Sequence, residues 1–289
     1  MTQQETNRSN STPDDVSTEW MEDHLPGIFI KWHPQMSQSE RKTAEAVIEA
    51  AGVKPGFNVI DIGSGSGIPS LTIAEIVGPS GHVTATDPSP AFVKALRENA
   101  KALGLTNVDV VQTSAAQLPF PPKSFDATTC HFGAMFFPDV RAGLSQIKQV
   151  LHPGAKAGFV AWGPVEKNAL FGPGFGVTSR YLPPAPPPDQ PISEFPNPMR
   201  FSEPGTLEAH LRAAGFKDVC EESKMVDLHW PTRADQLAQM WFDMRNIKAS
   251  VDPSQWDALD ADLQSAYNRF AEGDTLRLPV PIVVASGVA

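Results

Sequence analysis

Apolar positions along the chain keep two rhythms that take turns. Short, nearly continuous apolar runs at Val59–Ile62, His82–Thr86, Val108–Val111, Asp126–Cys130 and Lys156–Trp162 predict buried strands. Between them apolar residues fall three and four apart, which predicts amphipathic helices. Ser37-Gln38-Ser39-Glu40 reads as a capping box, followed by Ala44, Val47, Ile48 and Ala51 up to Gly52. Pro69 sits as a first-turn proline ahead of Leu71, Ala74 and Ile76-Val77, and Gly78-Pro79 ends that helix. Ser89-Pro90 opens the next helix and Gly104 closes it; Val140, Leu144, Ile147 and Leu151 make one further stripe.

Strands alternating with helices at this spacing imply right-handed crossovers and a mostly parallel sheet covered on both faces. In such a sheet a ligand crevice lies outside the carboxyl ends of the strands. Beyond Trp162 the texture changes, with ten prolines and four glycines across 163–200, among them the run Pro183-Pro184-Ala185-Pro186-Pro187-Pro188. That segment is too rigid and donor-poor for a helix or an inner strand, and reads either as a linker or as a semi-rigid lid. A helix with Leu207, Leu211 and Ala214, a strand near Val219, a helical pair over about 232–272 and a strand after Thr275 complete the chain. Pro279 and Pro281 predict that this last strand begins late or lies at an irregular edge.

With 289 residues and 41% apolar content, the chain has enough material for one large core with appended cover segments. The organisation expected is a tail over 1–19, a cap over 20–36, a ligand-binding core over 37–162, the proline-rich segment over 163–200 and a C-terminal part over 201–289. The first 19 residues are polar and lack the basic start and apolar centre of a secretion signal, so they read as a disordered tail. Cys130 and Cys220 are the only cysteines, which leaves no disulfide framework and points to a reducing cytoplasm. The formal charge of −10 argues against nucleic acid or an anionic membrane as partner.

Candidate chemistry concentrates at Val59-Ile60-Asp61-Ile62-Gly63-Ser64-Gly65-Ser66-Gly67, where an apolar strand passes into a loop with glycine at every second position. Glycine has no Cβ and tolerates positive φ, so such a loop lets a ligand approach backbone N–H groups at a helix N-terminus. Twenty positions later a second strand ends in Asp87, placed to accept both hydroxyls of a ribose. A nicotinamide or flavin dinucleotide loop would need its third glycine where Ile68 or Ser70 stands. Asp61 would also repel a pyrophosphate, whereas it suits a ligand carrying an ammonium or sulfonium group.

These residues resemble the class I S-adenosylmethionine-dependent methyltransferases, in particular the branch that includes quinone-biosynthesis C-methyltransferases and small-molecule enzymes. Leu118-Pro119-Phe120 with Ser124-Phe125-Asp126, then His131-Phe132-Gly133 and Leu151-His152-Pro153-Gly154-Ala155, resemble that branch's later motifs in order and spacing. The resemblance covers about residues 40–162 and implies a Rossmann-like, doubly wound α/β fold with a seven-stranded sheet. It implies S-adenosylmethionine as cofactor, with contacts from Asp61, Gly63, Ser64, Gly65, Gly67, Asp87, Pro88, Ser114, Ala115 and His131. Asp61 would orient the ammonium group, and Asp87 would hold the ribose. Where relatives carry Gly-Asp-Ala at the adenine end, this chain has Thr113-Ser114-Ala115, a shorter and uncharged acceptor.

The activity implied is methyl transfer to a small, largely apolar or aromatic molecule by direct displacement. The alternatives are a cofactor-binding protein without transfer and a dinucleotide-dependent redox enzyme. His131 is the candidate base, with His24 and His33 behind it. Trp32, His33, Phe132, Met135 and Phe136 are the expected substrate wall. Neither the histidines nor the cysteines show paired metal-ligand spacing, so no metal is expected.

Overall fold

The structure is a computed structural model that describes residues 18–21, 24–182, 197–244 and 251–289. The run of prolines over 183–188 lies outside these residues, as does the tail over 1–19 apart from 18 and 19, which begin the first helix.

Five strands follow the expected parallel pattern: β1 (Asn58–Ile62), β2 (His82–Asp87), β3 (Val108–Gln112), β4 (Phe125–His131) and β5 (Leu151–Trp162). With β6 (Lys217–Trp230), the two-residue β7 (Ala271–Glu272) and β8 (Thr275–Val288) they form one sheet in the order β3-β2-β1-β4-β5-β8-β6. β7 pairs with β8 off this path, so the sheet has eight strands where seven were expected. β8 runs antiparallel to both β5 and β6. Consequently β1 to β6 all present their carboxyl ends at one edge.

The helices before the sheet are α1 (Thr18–Met21), α2 (His24–Lys31), α3 (His33–Ser39) and α4 (Arg41–Ala51). Connections inside the sheet are α5 (Ser70–Val77), α6 (Pro90–Ala102) and α7 (Val140–Val150). Later come α8 (Gly172–Thr178), α9 (Thr206–Ala213), α10 (Ala234–Met244) and α11 (Trp256–Asn268). α10 packs on α11, and α11 on α8, so the helical insertion is anchored on the segment that follows β5. On α5 the buried side is Leu71, Ile73, Ala74 and Val77; Ile76, read as buried, is exposed because it falls on the opposite side of the turn.

The predicted capping box does not form. Ser39 ends α3 and Glu40 joins it to α4, with no side-chain cap at either helix start. Helical hydrogen bonding runs through the junction instead: Glu40 N donates to Met36 O at 2.7 Å, and Glu40 O accepts from Ala44 N at 2.9 Å. With the backbone groups already paired, the Glu40 carboxyl is released for another use.

Pro279 and Pro281 lie inside β8, which begins early, at Thr275, and runs between β5 and β6. The β5 ladder reaches only to Trp162 opposite Ile282, so both prolines fall in the half of β8 that β5 no longer covers. Their carbonyls accept from Ala169 N at 3.0 Å and Gly163 N at 2.9 Å on that side. An antiparallel residue points its N–H and C=O the same way, so the missing donors belong where no ladder bond was due.

Candidate active site

A cavity opens at the carboxyl edge of the sheet, lined from β1 by Ile62 with Gly63 just after it, from β2 by Asp87, from β4 by His131, from β5 by Trp162 and from β6 by Trp230. One half is made of backbone and carboxylate. Gly63 and Gly65 take φ of 68° and 53°, which keeps Cβ atoms off the loop surface. Asp87 braces this loop from β2: its Oδ2 accepts from Gly65 N and its Oδ1 from Ser89 N, both at 2.9 Å. A carboxylate has about four acceptor positions, so two remain for hydroxyls in the cavity. Ser64 ties the two strand ends together, donating to Asp61 O at 2.9 Å and accepting from Thr86 N at 3.0 Å.

Asp61 stands behind the loop and does not line the cavity. Its Oδ2 accepts from Ser70 Oγ at 2.5 Å and its Oδ1 from Thr129 Oγ1 at 2.6 Å. The expectation that it orients an ammonium group directly is therefore corrected: both oxygens brace the loop against α5 and β4. Burial pushes its pKa up to about 6, against the pull of those hydroxyls. Asp87 is also raised to about 6, by burial first and by repulsion from Asp61, although two backbone N–H groups pull it back. Neither carboxyl is paired with a Lys or Arg among the described residues. A bound cation would pull both values back down.

Pro88, Ser114 and Ala115, the residues expected at the adenine end, line the cavity together with Thr113 and Ala116. Thr113 N donates to Asp87 O at 3.1 Å, which aligns this segment with the end of β2.

The other half is aromatic. Phe132 takes φ of 54°, unusual for a bulky residue, and its ring stacks on Trp162 at 3.8 Å. The left-handed backbone costs about 1–2 kcal/mol, and here it turns the chain so that the ring faces the cavity beside His131 at 4.4 Å. Phe171, from the segment after β5, meets Trp162 edge-on at 5.1 Å. The N-terminal cap supplies Trp32, whose ring lies 6.3 Å from Trp230, and Trp20, which sits 5.0 Å from Phe136 and 6.1 Å from Phe92. The cap thereby touches both halves, because Phe92 belongs to α6 and Phe136 follows β4.

Two polar groups interrupt the aromatic wall. His131 Nε2 lies 2.8 Å from Thr43 Oγ1, whose only proton is donated to Glu40 O at 2.8 Å. With that proton on the Glu40 carbonyl, Thr43 accepts from the ring, which assigns the His131 proton to Nε2 and leaves the Nδ1 lone pair open. Burial lowers the imidazole pKa to about 3. A group so hard to protonate is a poor match for proton removal near neutral pH. The second group is the Glu40 carboxyl, which lines the cavity and is pushed up to about 8 by burial.

Several expected wall residues lie elsewhere. Met135 is fully buried in the core and does not line the cavity, because the turn after β4 directs Phe132 and Phe136 outward and Met135 inward. His33 is also off the wall: its Nδ1 is 2.7 Å from Ser66 Oγ, pinning the cap to the glycine loop. Gly67 packs, with φ of 120°, where a Cβ would come within 2.8 Å of Leu71. His24 lies outside the cavity as well. Sequence reasoning missed Phe29, Trp162, Phe171, Trp230 and Glu40. For Trp162 and Trp230 a signal existed, since each is the last residue of a strand.

Among the described residues no cluster of three or more His, Cys, Asp or Glu is placed to share a metal ion. No helix among them is long and apolar enough to cross a membrane.

Comparison with known proteins adds an independent finding. A family described as a methyltransferase domain matches residues 59–154. Nocamycin O-methyltransferase of Saccharothrix syringae is 28% identical over 273 residues, which cover 92% of this chain and 96% of that enzyme. Demethylmenaquinone methyltransferase of Listeria welshimeri is 33% identical over 147 residues, 48% of this chain and 62% of that enzyme. The solved structure of the [4+2]-cyclase SpnF shares the fold, with a TM-score of 0.60 at 19% identity over 96% of this chain and 97% of that one. The domain match falls on the glycine loop and on the ends of β1, β2 and β4 at the cavity, so residues 59–154 carry a methyltransferase domain, and the comparisons support S-adenosylmethionine-dependent methyl transfer by this chain.

Proposed function

We propose that this enzyme methylates a hydroxyl on a small, largely apolar or aromatic molecule. The observation that carries this reading is the division of one cavity into a glycine and carboxylate half and an aromatic half, meeting at His131 and Phe132. S-adenosylmethionine supplies the activated methyl group. Gly63, Ser64 and Gly65 would pass its amino acid and ribose portions, Asp87 would accept from the ribose hydroxyls, and Pro88, Ser114 and Ala115 would flank the adenine. The fit is electrostatic as well: buried carboxyls without a cation partner favour a positively charged ligand.

The acceptor would lie against Trp32, Phe132, Phe136, Trp162 and Trp230, where apolar area drives binding and excludes water. Leu170, Phe171 and Pro198 also contribute to the wall, which supports a lid role for the segment after β5. Oxygen as acceptor atom is supported by the O-methyltransferase match, which runs through the cap and the C-terminal part, while the demethylmenaquinone match spans 48% of the chain. The acidic balance of the chain fits a substrate other than nucleic acid, and its two cysteines fit work in the cytoplasm.

The test is methyl transfer from isotopically labelled S-adenosylmethionine to a panel of bicyclic phenols, aryl amines and aryl thiols, with tRNA and protein as controls. Transfer to phenols with none to the macromolecules is expected. Label appearing only on amines, or on macromolecules, would overturn the reading.

A further inference from the structure

One carboxyl group of a residue in the cavity wall has no partner among the described residues. Glu40 joins α3 to α4, is 8% exposed and lines the cavity. Its backbone is fully engaged, through Met36 O, Ala44 N and the Thr43 hydroxyl. Its carboxylate has neither a hydrogen bond nor an ion pair among the described residues. Leaving an acidic group buried and unpaired is costly, and a glutamine or leucine there would serve packing without that cost. A second group without a partner stands in the same wall: Trp230 is 2% exposed, and its Nε1 donor has no partner among the described residues.

The position of Glu40 is tied to the aromatic half. Thr43, one turn further along α4, bonds both the Glu40 carbonyl and the ring of His131. Met36, one turn earlier on α3, lines the cavity too. Glu40 thus lines the same cavity as His131, Trp32 and Trp230, and Thr43 ties its backbone to the His131 ring.

We propose that Glu40 is the general base of the transfer, taking the proton of the acceptor hydroxyl. This rests on the reading above that the acceptor is a small hydroxyl compound. The acceptor's O–H bond breaks and its proton goes to a carboxylate oxygen of Glu40. Its oxygen forms the new bond to the methyl carbon, and the electron pair of the broken C–S bond leaves with the thioether. His131, held neutral with its Nε2 proton on Thr43, is a positioning residue whose Nδ1 accepts a hydrogen bond. Desolvation strengthens the carboxylate as a base relative to an exposed glutamate, which suits proton removal from a weak acid.

The experiment compares wild type with Glu40→Gln and Glu40→Asp on 2-naphthol and naphthalene-2-thiol, with S-adenosylhomocysteine calorimetry as the control for fold and cofactor site. Glu40→Gln should bind S-adenosylhomocysteine within about twofold of wild type and lose about 100-fold or more on the naphthol. The thiol, already ionised in alkaline buffer, needs no base and should lose less than about threefold. Glu40→Asp should recover part of the naphthol rate. In protein labelled with carbon-13 at glutamate carboxyls, the resonance missing from Glu40→Gln should shift when 2-naphthol is added to the S-adenosylhomocysteine complex. Equal losses on naphthol and thiol, or a resonance that ignores the naphthol, would overturn the base assignment and leave the acceptor reading standing. A large loss of S-adenosylhomocysteine affinity would make Glu40 a cofactor-holding residue instead. Cofactor binding without transfer to either probe by wild type would overturn the acceptor reading and the base assignment with it.

Discussion

Thr43 Oγ1 sits 2.8 Å from His131 Nε2, within hydrogen-bond distance, joining the first long helix of the core to the end of the fourth strand. Both residues are buried, with Thr43 at 0% and His131 at 6% exposure. Thr43→Val keeps the shape and removes the acceptor, leaving a buried N–H unpaired. A loss of about 1–3 kcal/mol in urea unfolding is expected, with S-adenosylhomocysteine affinity unchanged. Unaltered stability would mean that the ring turns to another partner.

Asp87 both braces Gly65 and lines the cavity, so its alanine variant loses the loop brace together with the proposed ribose acceptor. S-adenosylhomocysteine affinity should fall by about 1–3 kcal/mol in calorimetry. The carboxylate is the accepting form and titrates at about 6. Wild-type affinity should therefore drop as pH falls from 7.5 to 5, and the Asp87→Ala protein should show a flatter profile.

Stability follows the opposite course. Asp61 and Asp87 have native pKa values raised to about 6, above the roughly 4 of an unfolded chain. The folded protein therefore holds protons that the unfolded chain releases. The contribution of these groups is fully present below about pH 4 and is lost as pH rises through about 6. Asp61→Asn should give a shallower fall of unfolding free energy between pH 4.5 and 7 than wild type, read by denaturant titration.

Ser114 lines the cavity, without a charge, at the end proposed for adenine. Ser114→Asp supplies a stronger acceptor for an amino group, and a gain of about three- to tenfold in S-adenosylhomocysteine affinity is expected. Weaker binding would show that adenine is held by backbone groups there.

Trp20 closes the cap over both halves through Phe29, Phe92 and Phe136. Each aromatic pair is worth about 0.5–1.5 kcal/mol beyond its buried area, so Trp20→Ala should cost roughly tenfold in S-adenosylhomocysteine affinity. Amide hydrogen exchange over 24–36 should speed up in the same variant. Unchanged exchange would detach the cap from ligand closure.

The glycine loop, Asp87, the parallel sheet and the aromatic character of the segment after β4 were legible because each depends on neighbours close in sequence. A strand followed by glycines at every second position leaves few other conformations. Asp61 belongs to the same run, yet what its carboxylate does was not legible: Thr129, its partner, is 68 positions away and meets it only because β1 pairs with β4. His33 went to Ser66 for the same reason, across 33 positions. Met135 and Phe136 are adjacent in sequence, and only the turn after β4 decides which one faces the cavity.

Glu40 shows the division most plainly. Its local pattern, serine then glutamate three positions on, is that of a helix cap, and the pattern is satisfied by chemistry available within four residues. Packing overrode it by running one helix into the next, which paired the backbone groups a cap would have served and left the carboxyl to the cavity. Prolines 279 and 281 follow the same logic in the sheet, tolerated because the neighbouring strand had already ended. The sequence by itself determined the elements, their order and the cofactor edge, since those follow from periodicity and glycine geometry. Only the tertiary structure decided which polar groups face the cavity and which are consumed as struts, because a buried polar group's role is set by partners that folding brings from distant parts of the chain.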